Sequence, residues 1–247
     1  MSPSGSAGDP TLVLLHPVGL NGGSFQFLDL DENGLEGAET PDLPGHGRRP
    51  RSPGMTLGDA ADDLVGQIPG PLDVAGFSFG GMIALQMALR HPDRVRSLLV
   101  ACAPAAVNRD VILARAEAAE AGMDGVLAST LERWFTSAAL ADPAHPGVAY
   151  SRASLRALDP HAFADGWRAI ADHDVTARLA ELDLPVTCLA GRQDVSSPPE
   201  QVQMIADGVK GAQFLAIDGP HMAYLEHPSA VAGVIRDHLA RARAAGA

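Results

Sequence analysis

Short apolar runs alternate with segments of helical periodicity along most of this chain, and that alternation most constrains its fold. The apolar runs lie at Thr11–Leu15, Leu72–Phe77, Val95–Ala101, 186–190 and Gln213–Ile217. Helical segments lie between or after them, at 57–68, 79–90, 200–206 and 230–244. A strand that is apolar along its whole length is buried on both faces, as happens when helices cover both sides of a parallel sheet. The pattern therefore predicts an α/β fold with a doubly wound, mostly parallel sheet.

One long segment interrupts the alternation. Between Pro104 and Val175 the pattern is Ala-rich and helical without a convincing strand, and it contains both tryptophans of the chain. Strand–helix alternation resumes afterwards, so we expect a helical cap inserted over the carboxyl edge of the sheet. The predicted units are an α/β core at 11–104 and 176–247, a helical cap at 105–175 and a flexible N-terminal tail at 1–10.

Charge and composition narrow the range of partners. The 247 residues carry 30 acidic and 18 basic side chains, for a net charge of -12. That sign is unfavourable for binding nucleic acid or an anionic membrane surface, and no run approaches the roughly 18 apolar residues of a membrane span. The N-terminus lacks the cationic start and apolar stretch of a signal peptide. We expect a cytoplasmic protein, monomeric or homodimeric, whose two cysteines are free core thiols.

The predicted strand–helix junction at residues 76–81 carries the strongest chemical signal. It reads Gly-Phe-Ser-Phe-Gly-Gly, with Ser78 at the turn. A nucleophile on such a sharp turn needs small neighbours, because the helix approaches the strand closely. A dinucleotide-binding turn would have its second glycine where Ser78 stands. Ser78 is therefore the candidate nucleophile.

A serine hydroxyl needs a base, and the base needs a group that orients it. His221 follows the last predicted strand in the sequence Asp-Gly-Pro-His, at the same sheet edge as Ser78. Asp194 follows the strand at 186–190, whereas Asp218 is a weaker competitor because it is too near His221 in the chain. The remaining histidines match no compact metal-ligand spacing, so we expect no metal and no cofactor. The predicted catalytic residues are Ser78, Asp194 and His221.

An oxyanion needs two backbone N–H groups that point at one position. One is expected from Phe79, directly after the nucleophile. The other is expected from the loop after the first strand, where Pro17 has no N–H and Val18 is the better donor.

Together these motifs resemble the α/β-hydrolase superfamily. They are a loop of the form His-x-x-Gly at 16–19, Asp-Leu-Pro-Gly-His-Gly at 42–47, the turn at 76–81, Gly-Arg-Gln-Asp at 191–194 and Gly-Pro-His at 219–221. The candidate catalytic residues follow one another along the chain in the order Ser, Asp, His. Within the superfamily the likeness is to 3-oxoadipate enol-lactonases and related small esterases. The resemblance implies that Ser78 is the nucleophile, His221 the base, Asp194 the third member, and Val18 and Phe79 the oxyanion donors.

The substrate implied is a small-molecule ester or lactone, opened through an acyl-enzyme on Ser78. Trp134, Phe135, Trp167 and Met222 are candidate pocket residues. An enol-lactone of a dicarboxylic acid is anionic and would need a cation in the pocket; the candidates are Arg133, Arg152, Arg156 and Arg168. Three alternatives remain open: a hydrolase of the C–C bond of a vinylogous diketone, a cofactor-free perhydrolase on the same triad, and a ligand-binding relative without turnover.

Overall fold

A computed structural model of the protein describes residues 10–246, so the predicted tail at 1–10 lies almost wholly outside the described residues. The strands are β1 Thr11–Leu15, β2 Leu72–Phe77, β3 Val95–Ala101, β4 Val186–Gly191 and β5 Gln213–Ile217. The helices are α1 Leu57–Gln67, α2 Phe79–Arg90, α3 Arg109–Glu120, α4 Met123–Trp134, α5 Ser137–Ala141, α6 Pro146–Ala157, α7 Pro160–Ile170, α8 Pro199–Gly208, α9 Ala223–Glu226 and α10 Pro228–Ala244. Two 3₁₀ segments lie at Gly22–Leu28 and Thr176–Glu181.

The five strands form one sheet in the order β1-β2-β3-β4-β5, and every neighbouring pair is parallel. All six residues of β2 and all six of β4 are buried, as the unbroken apolar runs predict. The predicted parallel α/β sheet is confirmed. On the other side of β1, a parallel bridge joins Val13 to Glu39. The segment that follows Glu39 therefore runs towards the carboxyl edge of the sheet.

Helices cover both faces of the sheet, and β3 shows which helix lies on which face. A Cβ added at Gly81 of α2 would lie 3.4 Å from Val100, whereas Ser97 of β3 bonds to His238 of α10 at 3.1 Å. Residues at odd separation along a strand point to opposite faces. Helices α2 and α10 therefore pack on opposite sides, which makes the sheet doubly wound.

The chain between β3 and β4 forms the predicted helical insertion, α3 to α7. Its two ends are held together by backbone hydrogen bonds, from Val175 N to the carbonyl of Ala105 at 2.9 Å and from Val107 N to the carbonyl of His173 at 3.1 Å. Helix α3 packs along α7, and α7 also contacts α2 of the core. These hydrogen bonds join the chain where it enters and leaves the insertion, close to the proposed cap boundaries at 105 and 175.

Local sequence signals explain where these helices begin. Thr56 accepts from Asp59 N, and Asp59 in return accepts from Thr56 N, a capping box that starts α1. Asn108 caps α3 through its side-chain oxygen, and α6 and α7 each begin with proline, whose fixed φ suits the first helical turn. Within residues 10–246, no helix is both long enough and apolar enough to cross a membrane.

Candidate active site

Ser78 occupies a strained turn between β2 and α2. Its backbone has φ 53° and ψ -115°, a conformation that L-residues with side chains rarely adopt, and its N–H donates to the carbonyl of Ala101 at 2.8 Å. Helix α2 lies almost against the strands, and only glycine permits this approach, because a Cβ at Gly80 would be 2.2 Å from the carbonyl oxygen of Leu15. The strain projects the Ser78 hydroxyl above the carboxyl edge of the sheet.

The predicted base and carboxylate meet Ser78 at this edge. Nε2 of His221 lies 2.9 Å from Oγ of Ser78, and Nδ1 of His221 lies 2.8 Å from Oδ2 of Asp194. Because a carboxylate only accepts, Nδ1 carries the ring proton and Nε2 is left to accept the hydroxyl proton of Ser78. The side chains therefore form one directed chain of hydrogen bonds, the geometry that general-base activation of a serine requires.

Asp194 is fixed on its far side by the backbone. Its Oδ1 accepts from Ser196 N at 2.7 Å and from Ser197 N at 2.9 Å. The two loops that carry the triad are also joined directly, because Gln193 N donates to the carbonyl of Gly219 at 2.9 Å. Asp194 is only 3% exposed, so the field it exerts on the imidazole is weakly screened by water.

The backbone N–H groups of Val18 and Phe79, the predicted oxyanion donors, are both without a protein partner among the hydrogen bonds of residues 10–246. Phe79 begins α2, where the first N–H groups of a helix have no partner within it and the helix dipole favours negative charge. Val18 lines the same cavity as Ser78 and His221.

A histidine that the sequence analysis did not assign fixes the loop carrying Val18. Nε2 of His16 accepts from Leu43 N at 2.9 Å, and its Nδ1 donates to the carbonyl of Pro17 at 2.8 Å. Burial lowers the pKa of His16 well below its usual value, and the neighbouring His46 lowers it further. The His16 ring therefore stays neutral, as its two opposite hydrogen-bond roles require.

The cavity at Ser78 is small, about 40 Å³, and is roofed by the cap. Of the four predicted pocket residues, Trp134 and Trp167 line it. Phe135 and Met222 do not: Phe135 packs against the ring of His145, with ring centroids 6.0 Å apart, and Met222 is fully buried, with its N–H donating to the carbonyl of Trp134 at 2.9 Å. Both lie next to a cavity residue without facing the cavity.

The cap arginines differ in their surroundings: Arg133 is half-buried and donates to the hydroxyl of Thr130 at 3.1 Å, outside the cavity at Ser78. Arg152 and Arg156 are exposed, and Arg168 forms an ion pair with Glu120 at 2.7 Å. Arg115, which the sequence analysis missed, lines the cavity, with its guanidinium 5.1 Å from the centre of the Trp167 ring. A helical spacing signal existed, because Arg115 follows the buried Ile112 by three residues on α3.

The described part of the chain contains no group of three or more His, Cys, Asp or Glu side chains that could hold a metal ion. The groups that meet at Ser78 are a hydroxyl, an imidazole, a carboxylate and two backbone N–H groups. That set suits nucleophilic attack on a carbonyl carbon.

Comparison with known proteins finds relatives over nearly the whole chain. The sequence profile of the alpha/beta hydrolase family matches residues 12–234. A pimeloyl-[acyl-carrier protein] methyl ester esterase of Chromobacterium violaceum is 30% identical over 93% of this chain and 94% of its own length. The crystal structure of a hydrolase from Pseudomonas aeruginosa PA01 superposes with a TM-score of 0.86 at 27% identity, over 96% of this chain and 92% of that one. An enol-lactonase from Burkholderia xenovorans LB400 has a TM-score of 0.87 at 23% identity, over 97% and 94%.

Proposed function

The chain belongs to the alpha/beta hydrolase family, and from that membership we propose that it is a serine hydrolase of small-molecule carboxylic esters or lactones. The observation that carries the proposal is the buried hydrogen-bonded chain of Ser78, His221 and Asp194 beside two N–H groups without a protein acceptor. The esterase activity named for the methyl ester esterases that resemble this chain supports the same reaction class.

In the first half of the reaction, Oγ of Ser78 attacks the substrate carbonyl while its proton passes to Nε2 of His221. Asp194 keeps the Nδ1–H tautomer in place and stabilises the imidazolium that forms. The carbonyl oxygen becomes an oxyanion, which accepts hydrogen bonds from the N–H groups of Val18 and Phe79.

In the second half, the carbonyl re-forms and the bond to the alcohol oxygen breaks, with Nε2–H of His221 protonating the departing alkoxide. An ester thereby loses its alcohol, whereas a lactone ring opens and keeps it. Water then attacks the acyl-enzyme with His221 as base, which releases the acid and restores Ser78.

The leaving group is proposed to be small. The space at Ser78 is about 40 Å³, on the order of the volume of one or two water molecules. The relative from Chromobacterium violaceum is named a methyl ester esterase. Methyl esters are therefore the first substrates to test. Ring opening of a lactone remains in the proposal, because an N-acyl homoserine lactone degrading enzyme is 25% identical and superposes with a TM-score of 0.75.

The proposal is tested by comparing the wild type with Ser78→Ala on short methyl esters, lactones and vinylogous diketones. We expect the wild type to hydrolyse esters or lactones and the variant to lose roughly 10³-fold or more in kcat. Ser137→Ala, a change at an exposed cap serine, is the matched control and should retain activity. Turnover of Ser78→Ala within tenfold of the wild type would overturn the proposal, as would a wild type that cleaves only the diketones.

A further inference from the structure

A buried glycine lies in the middle of the cap helix α7, where its presence needs a physical reason. Glycine destabilises a helix interior relative to alanine, yet Gly166 is one of the residues that α7 buries. A Cβ added at this position would lie 2.8 Å from Cγ2 of Val18, closer than a real Cβ approaches a neighbouring atom. The glycine therefore lets the backbone of α7 rest directly on the side chain of a predicted oxyanion donor.

The same face of α7 contacts the core over three successive turns. Ala162 precedes Gly166 by one turn, and its Cβ lies 3.3 Å from the position that a Cβ would take at Gly45. Ile170 follows Gly166 by one turn and lines the cavity at Ser78. This face of the helix therefore lies on two loops of the core and continues into the wall of the cavity.

The loop that carries Val18 is held between the core and the cap. On the core side, Nδ1 of His16 donates to the carbonyl of Pro17 at 2.8 Å. On the cap side, a Cβ added at Gly19 would lie 3.0 Å from the ring of Trp134. Val18 itself is 2% exposed, and its β-branched side chain has few rotamers. It has little freedom to turn aside, so crowding at its Cγ2 displaces the main chain that carries the N–H.

The second predicted donor, Phe79, is linked to the same turn of α7 through the ring of His46. A Cβ at Gly166 would be 3.4 Å from Cε1 of His46, and the centroids of the His46 and Phe79 rings are 5.9 Å apart. His46 is fully buried; its Nδ1 donates to the carbonyl of Pro44 at 3.0 Å, and its Nε2 has no partner among the described residues. Packing therefore does much to fix this ring, and α7 is one of the surfaces against which it packs.

We propose that Gly166 is a positioning residue: it seats α7 on the side chain of Val18 and thereby directs the Val18 N–H at the oxyanion formed at Ser78. The cap then does more than roof the cavity, because this N–H is correctly placed only while α7 is seated. An N–H group stabilises an oxyanion at a distance of about 2.7–3.1 Å, so a small displacement of the loop weakens the interaction. The inference rests on the proposed function, in which the Val18 N–H binds the oxyanion.

The test is Gly166→Ala, with Gly125→Ala as the matched control. Gly125 lies in the cap helix α4, is exposed, and a Cβ there meets no atom within 4 Å. On a methyl ester we expect Gly166→Ala to lower kcat about 10- to 100-fold with KM within about threefold of the wild type, because the oxyanion is absent from the bound ester. Gly125→Ala should match the wild type in both constants. A kcat of Gly166→Ala within about threefold of the wild type would overturn the inference.

A double variant shows whether the loss passes through Val18 or results from damage to the helix. Val18→Ala removes the Cγ2 atom that the new Cβ would meet and leaves the main-chain N–H in place. In the Val18→Ala background, Gly166→Ala should therefore lower kcat by less than about threefold. An equal loss in both backgrounds would contradict the inference.

A second variant keeps the test sharp if Gly166→Ala folds poorly. Val18→Ile adds a methyl group to the same crowded side chain from the loop side of the contact. We expect it to lower kcat with little change in KM, and the pH midpoint of kcat/KM, which reports on His221, should stay at the wild-type value. A wild-type kcat in Val18→Ile would count against the positioning role.

Covalent labelling separates this inference from the proposed function. A fluorophosphonate reacts with an activated serine without ester turnover, and its phosphoryl oxygen takes the place of the oxyanion. We expect the labelling rate of Ser78 to fall at least about tenfold in Gly166→Ala and to stay unchanged in Gly125→Ala. Such a fall in a protein that hydrolyses no ester would contradict the proposed function and support the positioning role. Ester hydrolysis by the wild type, with equal labelling rates in all three proteins, would support the proposed function and contradict the positioning role.

Discussion

At the scale of single residues, the proposed chemistry depends on how Asp194 is held. Its Oδ1 accepts two backbone N–H groups and its Oδ2 accepts from His221. This arrangement leaves the carboxylate no freedom to rotate away, and it fixes the imidazole tautomer that can accept the proton of Ser78. An amide at this position would present an NH₂ group or an oxygen, and the backbone donors would retain the oxygen.

Asp194→Asn is accordingly expected to direct an NH₂ group at Nδ1 of His221 and to favour the wrong tautomer. We expect kcat to fall by roughly 10³- to 10⁴-fold with little change in melting temperature. Asp218→Asn is the matched control, because Asp218 is nearer to His221 in the chain but is 89% exposed and pairs with Arg192. Equal losses in the two variants, measured as kcat on a methyl ester, would contradict the assigned role of Asp194.

The sequence predicted the residues that meet at Ser78 because each follows a strand of a parallel sheet, and such ends meet at one edge. It could not predict which cap side chains face the cavity. Phe135 and Met222 are apolar and close in the chain to cavity residues, yet helix packing turns them elsewhere. Arg115 was missed because charge on an Ala-rich helix is typical of a solvated face, whereas its burial depends on how α3 packs against α7 and α4.

At the scale of elements, the junction of β2 with α2 positions the nucleophile by close backbone contact. Helix α2 contacts β1, β2 and β3, and ten of its twelve residues are buried. Such a contact tolerates no side chain at Gly80, where a Cβ would meet a main-chain oxygen of β1. The strained φ of Ser78 is maintained by this packing.

Gly80→Ala is therefore expected to destabilise the protein by roughly 3 kcal/mol or more, because backbone atoms cannot move aside as a flexible side chain can. Gly66→Ala is its matched control: Gly66 lies in α1, is exposed, and a Cβ there meets no atom within 4 Å. That change should stabilise by about 0.5–1 kcal/mol through helix propensity. The free energy of unfolding in urea measures both; a Gly80→Ala loss below 1 kcal/mol would contradict the close contact.

The elements themselves were largely predictable. The apolar runs locate β1, β2, β3 and β5 at their observed bounds, and β4 extends one residue further, to Gly191. The parallel bridge at Glu39 was not predicted, since one polar residue in a turn-rich segment has no strand periodicity. The bridge forms on the side of β1 away from β2, and that side exists only once the sheet has folded.

At the scale of the whole molecule, the four buried histidines outside the triad lose their proton more readily than a free histidine. Burial is the main cause that lowers the pKa of each: His46, His173 and His238 to about 4, and His16 well below its usual value. In the unfolded chain each would titrate near 6.5, so between about pH 6.5 and 4 the unfolded state binds more protons. Stability is therefore lost as pH falls through this window.

We expect the free energy of unfolding to decrease from pH 7 to pH 5 by up to about 1.4 kcal/mol per pH unit for each such histidine. Asp73 acts in the opposite direction, because burial raises its pKa. His173→Asn isolates one contribution and should show a smaller pH dependence than the wild type, whereas His161→Asn, at an exposed position, should match the wild type. A His173→Asn curve parallel to that of the wild type would contradict the prediction.

The fold and the cap together serve one proposed event, the transfer of an acyl group to Ser78. A fluorophosphonate probe tests this most directly, because it reacts covalently only with a serine activated by its neighbours. We predict that the intact protein gains the mass of one adduct, that peptide mapping locates the adduct on Ser78, and that Asp194→Asn reacts more slowly. No adduct, or an adduct on another residue while Ser78 stays unmodified, would contradict the account.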